Sequence, residues 1–292
     1  MSAVISRAPA AEAVDLVRSE AVRAIVRLAL QEDVGRGDIT TESTVPADRV
    51  VTANIRQKQP GVVCGLPVMQ AVFAAIHEDV KLTPLVDEGS FGDQRVVATV
   101  DGPARALLTG ERTALNFLQR LSGVATAARK ASELVAGTKT EVLDTRKTTP
   151  GVRVLEKYAV RVGGCRNHRA GLDDGFLIKD NHIRAAGGIT AAVAGALRRA
   201  APGQLVEVEV TSLDELDEAI AAGSRFVLLD NFDVPGLRRA VAHANGRARL
   251  EASGRVTLAN LAEVASTGVD YVSLGALTHS AGSLDFSMEV VL

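Results

Sequence analysis

Tryptophan is absent from this chain of 292 residues, and only 2 tyrosines and 7 phenylalanines stand in for it. Proteins that hold single-stranded nucleic acid stack bases on aromatic rings, so the inventory is wrong for that task. A surplus of one charge sign is also missing: 33 basic residues face 35 acidic ones, for a formal net charge of −2. That balance excludes the broadly cationic surface that gathers nucleic acid by long-range attraction. Cysteine is scarce, and Cys64 and Cys165 are too few and too far apart for a disulfide framework or a zinc cage. A reduced, cytoplasmic setting follows as the expectation. No secretory signal is expected at the start, because charges interrupt residues 11–30. The longest uncharged stretch, 59–76, contains two prolines and two glycines and is not a membrane span.

What is present is mostly aliphatic. Hydrophobic residues make up 47% of the chain, enough for one large domain or two smaller ones. Apolar spacing predicts an amphipathic helix over 14–30, followed by a turn-rich polar loop over 32–40. Strand patterns lie over 50–58, 80–86 and 95–100, with a helix over 67–76 between them. The first third therefore reads as a mixed α+β unit, and a long helix over 109–136 leads out of it.

From residue 141 the pattern changes. Short apolar runs recur at 142–144, 176–179, 206–209, 226–230, 248–251 and 271–275, and most of them end in a polar residue or glycine. Helical segments over 190–200, 213–221, 235–244 and 257–266 separate the later runs, as in repeated βα units. Such a series forms either a TIM-type barrel or an open doubly wound sheet. The barrel is preferred, because polar strand ends are spread along the series and not gathered at one switch point.

In a barrel, the loops after the strands carry the chemistry. That rule nominates Arg146, Lys147, Lys179, Asp180, Glu209, Asp230, Ser253, Gly254, Gly275 and Ala276. Residues 145–169 hold seven cations (Arg146, Lys147, Arg153, Lys157, Arg161, Arg166 and Arg169) against the single acid Glu156. Arg153, Lys157 and Arg161 recur every four residues and read as a solvated helix face. The cations flanking that helix, with His168, suit a small polyanionic substrate, since guanidinium forks match carboxylate and phosphate oxygens. Ser253-Gly254 and Gly275-Ala276 follow two late strands, where small residues leave backbone amides open to a phosphate. Glu209 and Asp230 could hold ribose hydroxyls or a hard cation such as Mg²⁺. Strand alternation puts Glu207 on the same face as Glu209, which lies nearer the strand end.

Several motifs together carry a resemblance. They are Asp144-Thr145-Arg146-Lys147-Thr148-Thr149-Pro150-Gly151, Lys157-Tyr158-Ala159-Val160, Gly163-Gly164-Cys165-Arg166-Asn167-His168-Arg169 and Leu177-Ile178-Lys179-Asp180-Asn181-His182. Shorter matches run from Glu32-Asp33 through Gly110-Glu111-Arg112-Thr113 to Gly275-Ala276-Leu277-Thr278-His279. This set resembles the quinolinate phosphoribosyltransferases of NAD biosynthesis, over almost the whole chain. The resemblance implies an N-terminal α/β sandwich domain over 1–114, rejoined by a tail over 283–292, and an incomplete TIM-like α/β barrel over 115–282. It implies quinolinate and phosphoribosyl pyrophosphate as substrates, with Mg²⁺, and a homodimer in which Arg112 is donated across the interface. Arg146, His168, Arg169 and Lys179 would meet quinolinate. Lys147, Lys179, Glu209 and Asp230 would serve the pyrophosphate donor and its Mg²⁺, as the catalytic set. Ser253, Gly254, Gly275 and Ala276 would hold the 5′-phosphate, with Thr145 and Leu274 counted among the substrate-binding positions. Arg255 departs from the family's usual small residue, and it would either contact the phosphate or point away.

Other readings remain. A paralogue could transfer phosphoribose to a different acceptor. Lys179 at a strand end is also where a Schiff-base aldolase keeps its nucleophile. A non-catalytic binder of a sugar phosphate is the third class.

Overall fold

The computed structural model describes residues 15–291. By compactness the chain divides into two units. One comprises Lys130–Thr148 with Gly164–Ser280; the other comprises residues 15–129, Thr149–Gly163 and residues 281–291. The expected boundary after residue 114 falls inside an unbroken helix, Ala104–Leu134, which carries the chain from one unit to the other. The helix Arg153–Val162 goes with the N-terminal unit although its sequence lies between barrel segments.

In the N-terminal unit, β1 (Val50–Gln57) lies between β5 (Arg95–Pro103) and β12 (Phe286–Val291), with β3 (Lys81–Pro84) on the far side of β5. All of these pairings are antiparallel, and β12 runs in register from Thr52↔Val291 to Gln57↔Phe286. A two-stranded ribbon joins β2 (Gly61–Val62) to β4 (Phe91–Gly92). Helix α1 (Glu20–Val34) starts where the Ser19 hydroxyl accepts the Val22 N–H. It ends beyond the expected residue 30, absorbing Glu32 and Asp33, and a short α2 (Ile39–Thr44) follows. Val14, the expected helix start, lies outside the described residues. Leu66–Ile76 (α3) and the long helix α4 (Ala104–Leu134) bury Met69, Phe73, Leu107, Leu115 and Leu118.

Gly123 of α4 is there for space. A Cβ at this position would lie 1.8 Å from the carbonyl oxygen of Gly282, so the helix touches the C-terminal segment through bare backbone. Gly123→Ala is expected to destabilise the protein by about 1–3 kcal/mol, outweighing alanine's better helix propensity. A urea midpoint equal to or above the wild-type value would show that the segment moves aside at no cost.

The other unit is built on a six-stranded parallel sheet. Its strands are β6 (Glu141–Leu143), β7 (Phe176–Ile178), β8 (Val206–Val210), β9 (Phe226–Asp230), β10 (Arg249–Ser253) and β11 (Tyr271–Ser273), in the spatial order β6-β11-β10-β9-β8-β7. This is the parallel sheet of an incomplete α/β barrel. In β8, Val206, Val208 and Val210 are buried and alternate with Glu207 and Glu209, so one face of the strand is aliphatic and the other carboxylate. Helices Leu213–Ala221 and Val234–Ala244 are capped by Ser212 and Asp233, whose side chains accept the Glu215 and Gly236 N–H groups. The helix expected over 257–266 is only Leu261–Ala265, because Asn260 turns the preceding residues back on themselves through the Thr257 backbone and hydroxyl. Among the described residues no helix is long and apolar enough to cross a membrane.

Candidate active site

Parallel pairing sets the rows of side chains that face a site at the strand ends. Glu209, Leu228 and Glu251 lie side by side across β8, β9 and β10, and Asp230 pairs with Ser253 one step further along. The Ser273 hydroxyl donates to Ser253 Oγ at 3.1 Å, extending that second row to β11. Beside β6, the stretch after Cys165 runs parallel to the strand, with a bridge between Leu143 and Arg166. Asp144 is fully buried and clips the two cationic motifs together. Its carboxylate accepts the His168 backbone N–H at 2.8 Å and Asn167 Nδ2 at 2.6 Å.

A cavity of about 330 Å³ opens here, lined by Asp144, Thr145, Arg146, Lys147, His168, Arg169, Leu177, Lys179, Leu228, Glu251, Ser253 and Ser273. Seven of the expected site residues meet in it: Thr145, Arg146, Lys147, His168, Arg169, Lys179 and Ser253. Arg169 is only 6% exposed. It gives Nη1 to the Gly175 carbonyl at 3.0 Å, and its Nε is buried with no hydrogen-bond partner. Burial and then the neighbouring Arg146 cation pull the Arg169 pKa down, against the opposing pull of Asp174 and Glu207. The guanidinium therefore stands among like charge at the wall of the cavity, where an anion would relieve it.

Lys179 begins a short helix, Asp180–Ala186, and its backbone N–H is received by His182 Nδ1 at 2.9 Å, which gives His182 a structural task. The Lys179 ammonium reaches Glu209 Oε2 at 2.6 Å, and the lysine side chain is 47% exposed. An exposed, ion-paired ammonium is the opposite of the desolvated amine that a Schiff-base aldolase requires, so the geometry counts against that alternative.

Glu209, Asp230, Gly254, Arg255, Leu274, Gly275, Ala276 and Arg112 do not line the cavity. Glu209 touches it through Lys179, and Asp230 accepts a hydrogen bond from Asn231 at 2.7 Å. Gly254 has φ +79, and a Cβ there would lie 2.3 Å from Asn231 Oδ1. Arg255 continues the left-handed turn at φ +51, and its carbonyl receives Asn260 Nδ2 at 3.1 Å. At Gly275 a Cβ would meet His279 and the Lys147 side chain at 3.1 and 3.3 Å. Leu274 is buried; its N–H donates to the Leu143 carbonyl, and Ala276 opens the short helix that follows. Arg112 is exposed on α4 in the N-terminal unit.

Two sequence expectations need amendment. Lys157 is 4% exposed, so the four-residue repeat of Arg153, Lys157 and Arg161 is not a solvated face. Glu251 is not among the expected site residues, yet it lines the cavity and is buried. The signal was available, since Glu251 stands two residues before Ser253 on the same strand face. Burial, followed by the charge of Glu207, pushes the Glu251 carboxyl up to about 8.

A parallel α/β sheet whose strand ends carry paired cations and carboxylates around one cavity defines a barrel enzyme acting on small anions. The chain belongs to the quinolinate phosphoribosyl transferase family. Residues 38–122 match the family's N-terminal domain and residues 124–289 its C-terminal domain. A relative from Synechocystis sp., described as a probable nicotinate-nucleotide pyrophosphorylase (carboxylating), is 46% identical over 267 residues, covering 90% of each chain. Another from Mycobacterium leprae, described as a nicotinate-nucleotide pyrophosphorylase (carboxylating), is 45% identical over 278 residues, covering 93% of this chain and 98% of its own. The solved nicotinate-nucleotide pyrophosphorylase of Francisella tularensis superposes with a TM-score of 0.89 at 41% identity, covering 93% of this chain and 96% of that one.

Proposed function

We propose that the protein transfers phosphoribose from phosphoribosyl pyrophosphate to quinolinate, releasing pyrophosphate and CO₂ and forming nicotinate mononucleotide. The observation that carries this reading is the convergence of Arg146, Lys147, Arg169 and Lys179 on one cavity. A planar dicarboxylate supplies acceptors for these donors, and Leu177 and Leu228 offer apolar surface to its ring. The ring nitrogen's lone pair attacks C1 of the ribose as the C1–O bond to pyrophosphate breaks, and pyrophosphate leaves with that electron pair. Lys147 and Lys179 sit where they can neutralise the departing charge, and Glu209 and Asp230 can hold the ribose hydroxyls as the sugar becomes cationic. The new ring nitrogen is positive and draws electrons from the adjacent carbon. That carbon loses its carboxylate as CO₂ and takes a proton from water. Positioning and electrostatics suffice, with no strong base required. Ser253-Gly254 and Gly275-Ala276 supply the bare backbone suited to the 5′-phosphate.

Mg²⁺ fits the residues present. Glu209 and Asp230 offer hard oxygens at the ends of neighbouring strands, and Mg²⁺ binds through one or two carboxylates with substrate oxygens and water completing its shell. When bound with the donor substrate, it would neutralise pyrophosphate oxygens.

The deciding assay mixes protein, quinolinate, phosphoribosyl pyrophosphate and Mg²⁺ and measures nicotinate mononucleotide, pyrophosphate and CO₂ in equal amounts. Turnover only with another acceptor would assign the chain to a paralogous activity instead. Binding without pyrophosphate release would make it a non-catalytic binder. Exposed Arg112 serves the active site of a second subunit in a homodimer. Mixing inactive Arg112→Ala and Lys179→Ala subunits should then restore roughly one working site in four, because each hybrid dimer holds one intact site. Subunit exchange without recovered activity would confine Arg112 to its own chain.

A further inference from the structure

His168, Glu207 and Glu251 form a buried cluster, each offering a nitrogen or oxygen within 4.8 Å of the others. One histidine and two carboxylates at that spacing could take a divalent metal, and the hydrogen bonds of the ring decide whether they do. The backbone N–H of Arg169 donates to His168 Nδ1 at 2.7 Å, so Nδ1 presents a lone pair and carries no proton. The proton of a neutral imidazole therefore sits on Nε2, which lies 2.8 Å from Glu207 Oε2 and 3.6 Å from Glu251 Oε2. A metal on Nε2 would require its lone pair and so drive the proton to Nδ1, head-on against the Arg169 N–H. The two carboxylates beside Nε2 favour an imidazolium, but that form meets the same clash at Nδ1. The cluster is built for a proton, not a metal ion.

We propose that Glu207 is a positioning residue, which receives the Nε2–H of His168 and, backed by Glu251, holds the imidazole as one neutral tautomer beside the acceptor. This rests on the reading of the cavity as the quinolinate site. Both ring nitrogens are engaged within the chain, so His168 meets the acceptor as a fixed, uncharged ring wall. Arg146 and Arg169 are left to recognise the carboxylates. The neutral ring next to two guanidinium groups avoids adding a third positive charge to a crowded wall, and a freely turning imidazole would compete with the acceptor for the same donors. Partners behind a functional histidine commonly act in this way, fixing its tautomer and orientation.

The test is ¹⁵N NMR of histidine-labelled protein at neutral pH, with the His168 signals assigned by their absence in His168→Asn. A pyridine-like Nδ1 and a pyrrole-like Nε2 are expected. In Glu207→Ala the two signals should move toward averaged positions, and KM for quinolinate should rise about tenfold with KM for phosphoribosyl pyrophosphate within about twofold. Glu207→Gln, whose amide oxygen can still accept the Nε2–H, should recover most of that loss. If Glu207→Ala does not fold, the wild-type tautomer and Glu207→Gln kinetics carry the test. An imidazolium, a pyridine-like Nε2, or selective broadening of the His168 signals by Mn²⁺ would overturn the proposal, as would equal rises in both KM values. Wild-type protein that does not turn over quinolinate would remove the acceptor reading while leaving the tautomer measurement standing.

Discussion

Arg169→Ala should lower kcat/KM for quinolinate by about a hundredfold to a thousandfold, which corresponds to the loss of a charge-assisted, two-pronged contact. The same substitution should leave the folded protein as stable as before, or more so. In the structure Arg169 is buried, its Nε has no partner, and the nearby Arg146 cation opposes its charge. Removing it relieves those costs and loses one bond to the Gly175 carbonyl and the weaker attraction of Asp174 and Glu207. Activity and stability therefore move in opposite directions, which separates a ligand-binding arginine from a structural one. Arg169→Lys should recover little, because an ammonium cannot reproduce the planar fork. Steady-state kinetics with each substrate varied, together with a urea midpoint, make the check. A large drop in stability alongside activity would mean that the Gly175 contact is the residue's real task.

The second large effect is on stability as a function of pH. The carboxyl of Glu251 ionises near 4.5 in an open chain, and burial beside Glu207 lifts it to about 8 in the fold. Between those values the folded state keeps a proton that the unfolded chain releases. Stability from this group is therefore complete below about pH 4.5, declines as pH rises, and is gone above about pH 8. At ~1.4 kcal/mol per pH unit, the ceiling on the loss is about 5 kcal/mol. Glu251→Gln mimics the neutral carboxyl and should flatten the decline, with the urea midpoint nearly the same at pH 6 and pH 9. Some slope should persist, because burial also raises the Glu88 carboxyl, which accepts the Tyr158 hydroxyl in the other unit. Equal slopes in wild type and Glu251→Gln would show that Glu251 is ionised throughout.

The parts legible in the sequence were those governed by local periodicity. Runs such as Val206-Glu207-Val208-Glu209 announce a strand with one apolar and one polar face, and β8 has that form. The strand-end rule found Arg146, Lys147, Lys179 and Ser253, all of which line the cavity. What was less legible depends on contacts between distant residues. Lys157 lies on a helical repeat that looks solvated, and only tertiary packing buries it. Glu251 looks like an ordinary charged strand residue until Glu207 and His168 close around it. The helix 153–162 sits among barrel segments in the chain and yet packs with the N-terminal unit, which periodicity cannot reveal. The task of Asp144 is hidden in the sequence, because its partners, the His168 N–H and Asn167, lie more than twenty residues away.

The pairing of β12 with β1 has a consequence for how the molecule is made. The two strands are neighbours in one sheet, yet the entire parallel sheet is translated between them. While the ribosome is still producing the βα repeats, β1 therefore carries an open hydrogen-bonding edge opposite β5. That edge can be closed only after residues 286–291 emerge, so the unit begun first is completed last. Contacts of such long sequence separation slow folding and prolong exposure of an unpaired strand. Nascent chains released before β12 should for that reason be aggregation-prone even when their barrel strands are complete.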